Sequence, residues 1–307
     1  MPETKRLSQG EVHEAAAILR EGGLVAMPTE TVYGLAADAR NGEAVARVYE
    51  AKGRPSFNPL IVHVPDAEAA FALGEAAEAA RRAAEAFWPG ALTLVLPLRE
   101  GHGLSPLVTA GLPTVALRVP AHPLARALLA TFGGPLAAPS ANPSGRISPT
   151  TPDHVLSGLS GRIDAVLDGG PCPVGLESTI LAPGPPGRVL REGGIAREAL
   201  ESLLGPLGGA GVGIEAPGQM ASHYAPKSRV RLDAPSPAPG ERMLGFGPVT
   251  GDLNLSAEGD LVEAAANLFG HLHALDDGQP LAVAPVPDEG LGRAINDRLR
   301  RAAAPRD

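Results

Sequence analysis

Lysine, arginine and hydroxyl side chains near the ends of predicted strands and helices set the chemistry that this sequence could perform. Lys52 and Arg54 follow a predicted helix, Arg118 lies in a short apolar strand and Arg191 ends another one. The chain as a whole is acidic, with a formal net charge of −8. Four cations at such positions therefore favour a local site for a polyanion such as a nucleoside triphosphate, because these side chains bind phosphate oxygens well.

The motifs of several common enzyme classes are missing. The chain has no phosphate-binding loop of the form G-x-x-x-x-G-K-[ST], no G-x-S-x-G turn and no H-E-x-x-H zinc motif. Its single cysteine, Cys172, excludes an internal disulfide framework and a cysteine zinc cluster. What remains for chemistry is the set of cations and hydroxyls.

Three of these four cations also have a plain structural explanation. Lys52 and Arg54 would complement the dipole at the end of a solvated helix. Arg118 stands between Leu117 and Val119, and it needs an anionic partner because an unpaired buried charge is costly. A structural salt bridge and a ligand carboxylate or phosphate are equally good partners for it.

Hydroxyl and amide groups are concentrated in three short segments. Residues 28–31 follow a predicted strand, and residues 177–179 precede another one. The densest segment, residues 139–148, offers polar donors from Ser140, Asn142, Ser144 and Ser148. Its glycine would let backbone amides face an anion, although an ordinary polar turn has the same composition.

Apolar runs and helical periodicity predict the elements that would hold these side chains. Strands are predicted at 24–27, 60–64, 92–98, 115–119, 136–138, 163–167, 178–181 and 188–191. Helices are predicted after a capping box at Ser8, at 43–51, across 66–87 with an interruption at Gly74, and at 123–132, 155–159 and 196–204. The helix at 43–51 resembles a crossover, which predicts that the strands at 24–27 and 60–64 are parallel neighbours.

The length of 307 residues and a change in composition indicate two domains. We predict a catalytic domain at 1–204, a linker at 205–228 that contains H-Y-A-P, and a small α/β domain at 229–307. No apolar run approaches the ~18 residues of a membrane span. The sequence has no signal peptide that we can identify, so we expect a soluble, cytoplasmic protein.

Seven motifs occur in an order that is typical of one family. They are P-T-E-T-V-Y-G-L, K-x-R-P with N-P-L-I-V-H, F-W-P-G-A-L-T, V-A-L-R-V-P, A-P-S-A-N-x-S-G, E-S-T-I and L-R-x-G. Over residues 8–204 the chain closely resembles the YrdC-like threonylcarbamoyl-AMP synthases, and H-Y-A-P with G-L-G-x-A-I-N-D-R-L is similar to their long form. The resemblance implies an α/β fold: a twisted, open mixed sheet with flanking helices, joined by a linker to a smaller Rossmann-like β/α domain.

The resemblance also implies a reaction. L-threonine, bicarbonate or carbon dioxide, and ATP would give threonylcarbamoyl-AMP with release of pyrophosphate, and a separate transferase complex would then use the product to modify tRNA. The threonine amine becomes a carbamate whose oxygen attacks the α-phosphorus of ATP, so positioning and charge neutralisation matter more than a covalent nucleophile. Magnesium is expected on the triphosphate, and no carboxylate pair in the sequence indicates a metal site.

Matching the family's motifs position by position assigns the substrate contacts. The resemblance implies threonine contacts from Thr31, His63, Arg118, Ala138 and Ser178, with Arg118 on the carboxylate. It implies catalytic roles for Lys52 and Arg54, and ATP contacts from Lys52, Arg54, Asn58, Thr114, Ser140, Asn142, Ser148, Arg191 and Tyr224.

Two other functions fit parts of the sequence. A domain of this fold could hold RNA on a concave basic face without synthase activity, but the net charge, the three lysines and an aromatic content of 3% argue against stable nucleic-acid binding. A carbamoyl-transfer domain like those of hydrogenase-maturation proteins would bring zinc-finger and acylphosphatase segments. This chain has neither the cysteines nor the length for them.

Overall fold

A ten-stranded mixed sheet forms the frame of the first two thirds of the chain in the computed structural model, which describes residues 3–211, 213, 215–217 and 223–305. Its strands are Lys5–Leu7 (β1), Val25–Met27 (β2), Gly34–Asp38 (β3), Ile61–His63 (β4), Leu92–Pro97 (β5), Thr114–Arg118 (β6), Leu136–Ala137 (β7), Ala165–Leu167 (β8), Thr179–Ala182 (β9) and Arg188–Arg191 (β10). They lie side by side in the order β1-β8-β2-β3-β7-β4-β6-β5-β9-β10.

Eight helices surround this sheet in the described part of the chain. They are Val12–Arg20 (α1), Gly42–Lys52 (α2), Ala67–Leu73 (α3), Glu78–Phe87 (α4), Pro106–Thr109 (α5), Pro123–Phe132 (α6), Pro152–Leu159 (α7) and Arg197–Leu204 (α8). Local signals explain where they begin and end. Ser8 and Glu11 form the predicted capping box, and Asn41 accepts two backbone hydrogen bonds at the start of α2. Gly53 ends α2 with a φ of 61°, in the left-handed region that favours glycine.

The predicted pairing of the strands at 24–27 and 60–64 is wrong. β2 pairs antiparallel with β3, β3 pairs antiparallel with β7, and β7 pairs antiparallel with β4. β2 and β4 therefore run in opposite directions with two strands between them. The crossover through α2 starts instead from β3, a strand of small residues that carries little of the branched or aromatic signal by which strands are predicted.

The second unit is a small parallel sheet with two helices. Its strands are Val230–Arg231 (β11), Arg242–Gly245 (β12), Leu253–Asn254 (β13) and Leu281–Val283 (β14), and its helices are Leu261–Ala274 (α9) and Gly292–Ala303 (α10). The strands lie in the order β11-β14-β12-β13, and each described pairing is parallel. A Rossmann-like β/α arrangement was the expectation for this unit, and the parallel sheet confirms it.

The predicted linker at 205–228 lies partly outside the described residues, at 212, 214 and 218–222. The domain boundaries themselves remain predictions. Within the described ranges, none of the helices has the length and apolar character needed to cross a bilayer.

Candidate active site

A cleft opens where several strands of the large sheet end together. β4 and β6 run parallel with His63 opposite Arg118, so these two side chains come to the same edge of the sheet. β9 begins and β10 ends at this edge, because β9 runs antiparallel to β10 and parallel to β5, which is antiparallel to β6. The cleft opens to solvent, and about 550 Å³ in it, open solvent included, is free of protein atoms.

Most of the residues assigned to substrates line this cleft. All five predicted threonine contacts lie on its wall, namely Thr31, His63, Arg118, Ala138 and Ser178. Four predicted ATP contacts also lie there, namely Arg54, Ser140, Arg191 and Tyr224. The structure therefore brings these residues together in space, and their contacts with substrate stay predictions.

Four of the remaining ATP-side residues lie directly behind the wall. The Lys52 ammonium donates hydrogen bonds of 2.5 Å to the backbone carbonyls of Ser140 and Asn142. The Arg54 guanidinium donates through Nε to the carbonyl of Asn58 at 3.1 Å. The Ser148 hydroxyl donates to Glu177, which itself lines the cleft. These residues hold the wall in shape.

The structure does not bring Thr114 to the wall of the cleft. Thr114 begins β6 and Arg118 ends it. Four residues of extended strand span about 13 Å, so the two side chains lie at opposite ends of the strand. An ATP contact from Thr114 stays a prediction.

The buried charges of the described residues belong to the cleft and its immediate surroundings. Five cations are buried, Lys52, Arg54, Arg118, Arg191 and Arg298, against two buried carboxylates, Glu30 and Glu177. Buried cationic side chains therefore outnumber buried carboxylates by three, five minus two, in a chain of net charge −8. Buried charges are costly without partners, so this excess is the strongest indication that the cleft binds a polyanion.

Burial shifts the protonation of the side chains that would contact substrate. Desolvation, with the nearby Arg54 charge, moves the pKa of Lys52 well below its usual value. Burial also lowers the pKa of Arg54 to about 10. The pKa of His63 falls to about 3, first because of burial and then because of the Arg118 charge. His63 is therefore a neutral imidazole at physiological pH, and its Nδ1 has no hydrogen-bond partner among the described residues.

Arg118 has an anionic partner within the protein. Its Nη2 donates to Glu30 at 2.5 Å and its Nε to the carbonyl of Gly90 at 3.2 Å. Backbone amides of Ala121 and His122 donate to the other Glu30 oxygen. Burial alone would raise the pKa of Glu30, but Arg118 and these amides outweigh burial and lower it. The salt bridge fixes the guanidinium, and none of these bonds uses its Nη1.

The linker covers the cleft with an aromatic pair. The Tyr224 side chain is 1% exposed, and the His223 ring lies 4.2 Å from it, centroid to centroid. The backbone amide of Ala225 donates to the carbonyl of Gly145 at 2.8 Å, which ties the linker to the polar loop at 139–148. H-Y-A-P is thus a structural bridge between the two units and a part of the cleft wall.

Sequence reasoning missed three charged side chains. Glu30 and Glu177 were noticed only as parts of polar segments, not as the partners of arginines. Arg298 was missed altogether, although a signal existed. It falls at helical spacing with Ala294, Ile295 and Ala302 on the buried face of α10, where a cation needs a partner.

Comparison with known proteins gives consistent matches to both units. A family model for Sua5, YciO and YrdC, described as telomere recombination, matches residues 17–193. A second, described as the C-terminal domain of threonylcarbamoyl-AMP synthase, matches residues 195–304. Curated relatives named threonylcarbamoyl-AMP synthase are 43% identical in Bacillus subtilis and 39% identical in Pyrococcus abyssi. These alignments cover 96% and 97% of this chain, and 94% and 96% of the two relatives.

A solved structure matches the whole architecture. The crystal structure of P. abyssi Sua5 in complex with L-threonine superposes with a TM-score of 0.89 at 36% identity, and the match covers 98% of each chain. The matched models cover the cleft, the linker and the small parallel sheet. The chain therefore belongs to the Sua5, YciO and YrdC family, in the two-domain form that carries the C-terminal domain of threonylcarbamoyl-AMP synthase.

Proposed function

We propose that the cleft joins L-threonine, bicarbonate or carbon dioxide, and ATP into threonylcarbamoyl-AMP and releases pyrophosphate. The observation that carries this proposal is the buried charge of the cleft. A wall with a fixed arginine and a neutral histidine is suited to an amino acid, and the adjoining excess of cations is suited to a triphosphate. The relatives' names and the threonine complex of the P. abyssi protein support the same activity.

In the threonine half, Arg118 binds the substrate carboxylate, with Glu30 holding the guanidinium in place. His63 stays neutral, so it offers a hydrogen bond to the substrate without repelling the ammonium group. The Thr31 hydroxyl lies 2.8 Å from that of Thr29, and the Ser178 hydroxyl lies 2.7 Å from that of Thr93. These paired hydroxyls give the wall fixed polar groups, and Ala138 leaves room for the substrate to approach the backbone.

In the ATP half, cations neutralise the phosphates and set the line of attack. The carbamate oxygen formed from threonine attacks the α-phosphorus, a new P–O bond forms, and the bond to the β-phosphate oxygen breaks with release of pyrophosphate. Lys52 holds the loop carbonyls of Ser140 and Asn142, and Arg54 and Arg191 face the phosphates. Fixed positive charge of this kind stabilises the charge that develops in phosphoryl-centre reactions.

Magnesium enters this proposal as part of the substrate, Mg–ATP. The two carboxylates near the cleft, Glu30 and Glu177, are both engaged by arginines. No group of three or more His, Cys, Asp or Glu side chains in the described ranges is arranged to hold a metal ion. We propose that phosphate oxygens and water supply most of the ligands of the ion, as is usual for Mg²⁺ bound with a nucleotide.

The product is a reactive acyl-adenylate, and we propose that it passes in the cytoplasm to a separate tRNA-modifying transferase complex. RNA binding without synthase activity is not favoured, because the cations of the cleft are buried rather than spread over a face that a strand could follow.

The proposed activity is tested by incubating the protein with Mg–ATP, labelled bicarbonate and threonine. We expect pyrophosphate release that requires threonine and transfers label into an adenylate, because the carbamate must form before the α-phosphorus is attacked. Serine and valine serve as matched amino acids for specificity. Pyrophosphate release that is the same with and without threonine would contradict the proposal.

Binding of ATP should take up a proton. Burial lowers the pKa of Lys52 in the ligand-free cleft, and a triphosphate beside it raises that pKa again. The affinity for ATP should therefore fall as the pH rises between these two pKa values. Calorimetry over a series of pH values, in buffers of different ionisation enthalpy, measures the uptake directly. It should vanish in Lys52→Met but persist in Lys5→Met, which removes an exposed lysine; an equal uptake in both variants would contradict the assignment.

A further inference from the structure

The last helix of the chain places an arginine beside the cleft from the other unit. Arg298 lies on α10 and is 0% exposed, and it heads the fully buried side chains of the described residues by volume. Arginine is almost never fully buried unless it is paired. Its partners therefore show what holds it there.

One carboxylate connects Arg298 to the loop on the ATP side. Arg298 Nε donates to Glu177 Oε2 at 3.0 Å, and the Ser148 hydroxyl donates to Glu177 Oε1 at 2.5 Å. Arg298 Nη1 also donates to the backbone carbonyl of Glu192 at 2.6 Å and to Asp297 at 3.1 Å. Glu177 is thus shared between the C-terminal domain and the polar loop of the catalytic domain.

A second contact connects Arg298 to the linker. Its guanidinium carbon lies 5.4 Å from the centre of the Tyr224 ring, within the range of a cation–π interaction. The same ring packs against Phe269 of α9, with 5.6 Å between the centroids. The aromatic cover of the cleft therefore rests on two side chains of the C-terminal domain.

Stability alone does not account for this arginine. A buried ion pair is often no better for stability than well-packed apolar side chains of similar volume. In addition, Arg298 Nη2 has no hydrogen-bond partner among the described residues, which is a further cost. An apolar residue would fill the same space on α10 without these costs.

Glu177 explains what the arginine does for the cleft. The carboxylate lines the cleft and is 5% exposed. Burial by itself would raise its pKa, but the charges of Arg298 and Arg191 and the hydrogen bond from Ser148 outweigh burial and lower it. Glu177 is therefore negatively charged on the wall that is proposed to receive the triphosphate. Arg298 fixes the orientation of this carboxylate and balances its charge.

We propose that Arg298 is a positioning residue for ATP: it fixes Glu177, and through Glu177 and Tyr224 it makes the nucleotide side of the cleft depend on the C-terminal domain. The proposal rests on the proposed function, because it takes Ser148, Arg191 and Tyr224 as ATP contacts. Without Arg298, the Glu177 carboxylate would attract the guanidinium of Arg191, which now donates to the carbonyl of Ser178 at 2.8 Å. Arg191 would then be turned away from the phosphates that it is proposed to face.

The test compares Arg298→Met with Arg300→Met in the full-length protein. Methionine keeps much of the apolar stem of arginine, and Arg300 lies on the same helix with a side chain that is 60% exposed and paired to Asp288. We expect Arg298→Met to raise the KM for ATP about tenfold or more, the equivalent of about 1.4 kcal/mol, with the KM for threonine changed less than about twofold. Arg300→Met should leave both constants as they are.

A double variant separates positioning from a general structural role. Glu177→Gln removes the charge that Arg298 neutralises, and its amide oxygen can still accept from Ser148. Arg298→Met combined with Glu177→Gln should therefore recover most of the affinity for ATP. Arg298→Lys, which keeps the charge, should retain more affinity than Arg298→Met and covers the case in which the methionine variant does not fold.

Two results would overturn the proposal. One is a parallel rise of both KM values with no recovery in the double variant, which would mean that Arg298 only stabilises the fold. The other is an unchanged KM for ATP in a folded Arg298→Met protein. Direct binding of ATP, measured by calorimetry without threonine, keeps the test valid if the wild-type protein releases no pyrophosphate, a result that would reject the proposed function instead.

Discussion

Arg118→Ala should remove most of the threonine-dependent pyrophosphate release while ATP still binds. Among the described cations of the cleft wall, Arg118 is the one that pairs with a carboxylate of the protein, through a 2.5 Å contact with Glu30. Losing a desolvated, charge-assisted contact to the substrate carboxylate should reduce kcat/KM for threonine by about 10³-fold. Steady-state pyrophosphate release measures this loss, and calorimetry with ATP alone should give an affinity within about threefold of wild type.

The same substitution should also destabilise the protein, so activity and folding must be separated. Removing one partner of a buried ion pair leaves an uncompensated charge and costs about 3–5 kcal/mol. In Arg118→Ala that charge is Glu30, which lies buried against two backbone amides. Glu30→Gln combined with Arg118→Ala should recover most of the unfolding free energy but none of the threonine dependence. Recovery of activity together with stability would show that Arg118 acts only on the fold.

Lys52→Met should have the second largest effect, this time on the nucleotide. Lys52 is 3% exposed, and its ammonium group donates to two loop carbonyls. The backbone amide of Ser144 in turn donates to the backbone carbonyl of Lys52 at 2.8 Å. Methionine keeps the stem and removes the charge and the donors, so both the charge of the cleft and the position of the loop change. We expect turnover to fall about 10³-fold and the KM for ATP to rise.

Binding of threonine to Lys52→Met is the internal control for this variant. The affinity for threonine, measured by calorimetry, should stay within about twofold of wild type, because the assigned threonine contacts lie on other strands and loops. A loss of threonine affinity as large as the loss of turnover would mean that Lys52 supports the whole cleft rather than its nucleotide side.

Much of the fold could be predicted because its signals are local. The helix Pro123–Phe132 and the strand Arg188–Arg191 have the predicted bounds, since proline, glycine and a short apolar run mark their ends. The separation of β2 from β4 by β3 and β7 could not be predicted, because the strand Gly34–Asp38 contains no β-branched or aromatic residue. Which strands become neighbours depends on contacts between distant segments, and no local pattern encodes them.

The residues of the candidate site could be predicted, but their partners could not. The cations and hydroxyls assigned to substrate contacts are recognisable in the sequence because they interrupt apolar runs, and the family motifs assign their roles. Their partners do not stand out. Glu30 pairs with Arg118 across 88 positions of sequence, and Glu177 pairs with Arg298 across 121 positions. A single sequence carries no signal for such distant pairs, so the fixed geometry of the arginines emerges only in three dimensions.

The excess of three buried cationic side chains over carboxylates also bears on how long the protein persists in a cell. A ligand that binds only the native state shifts the folding equilibrium towards it, by about 2.7 kcal/mol when its concentration is 100 times its Kd. Without bound nucleotide this stabilisation is absent, and the free-energy cost of burying the cationic side chains remains. We therefore expect the supply of nucleotide to affect the abundance of the protein as well as its reaction rate. Protein molecules without bound nucleotide unfold more often and are then exposed to proteases.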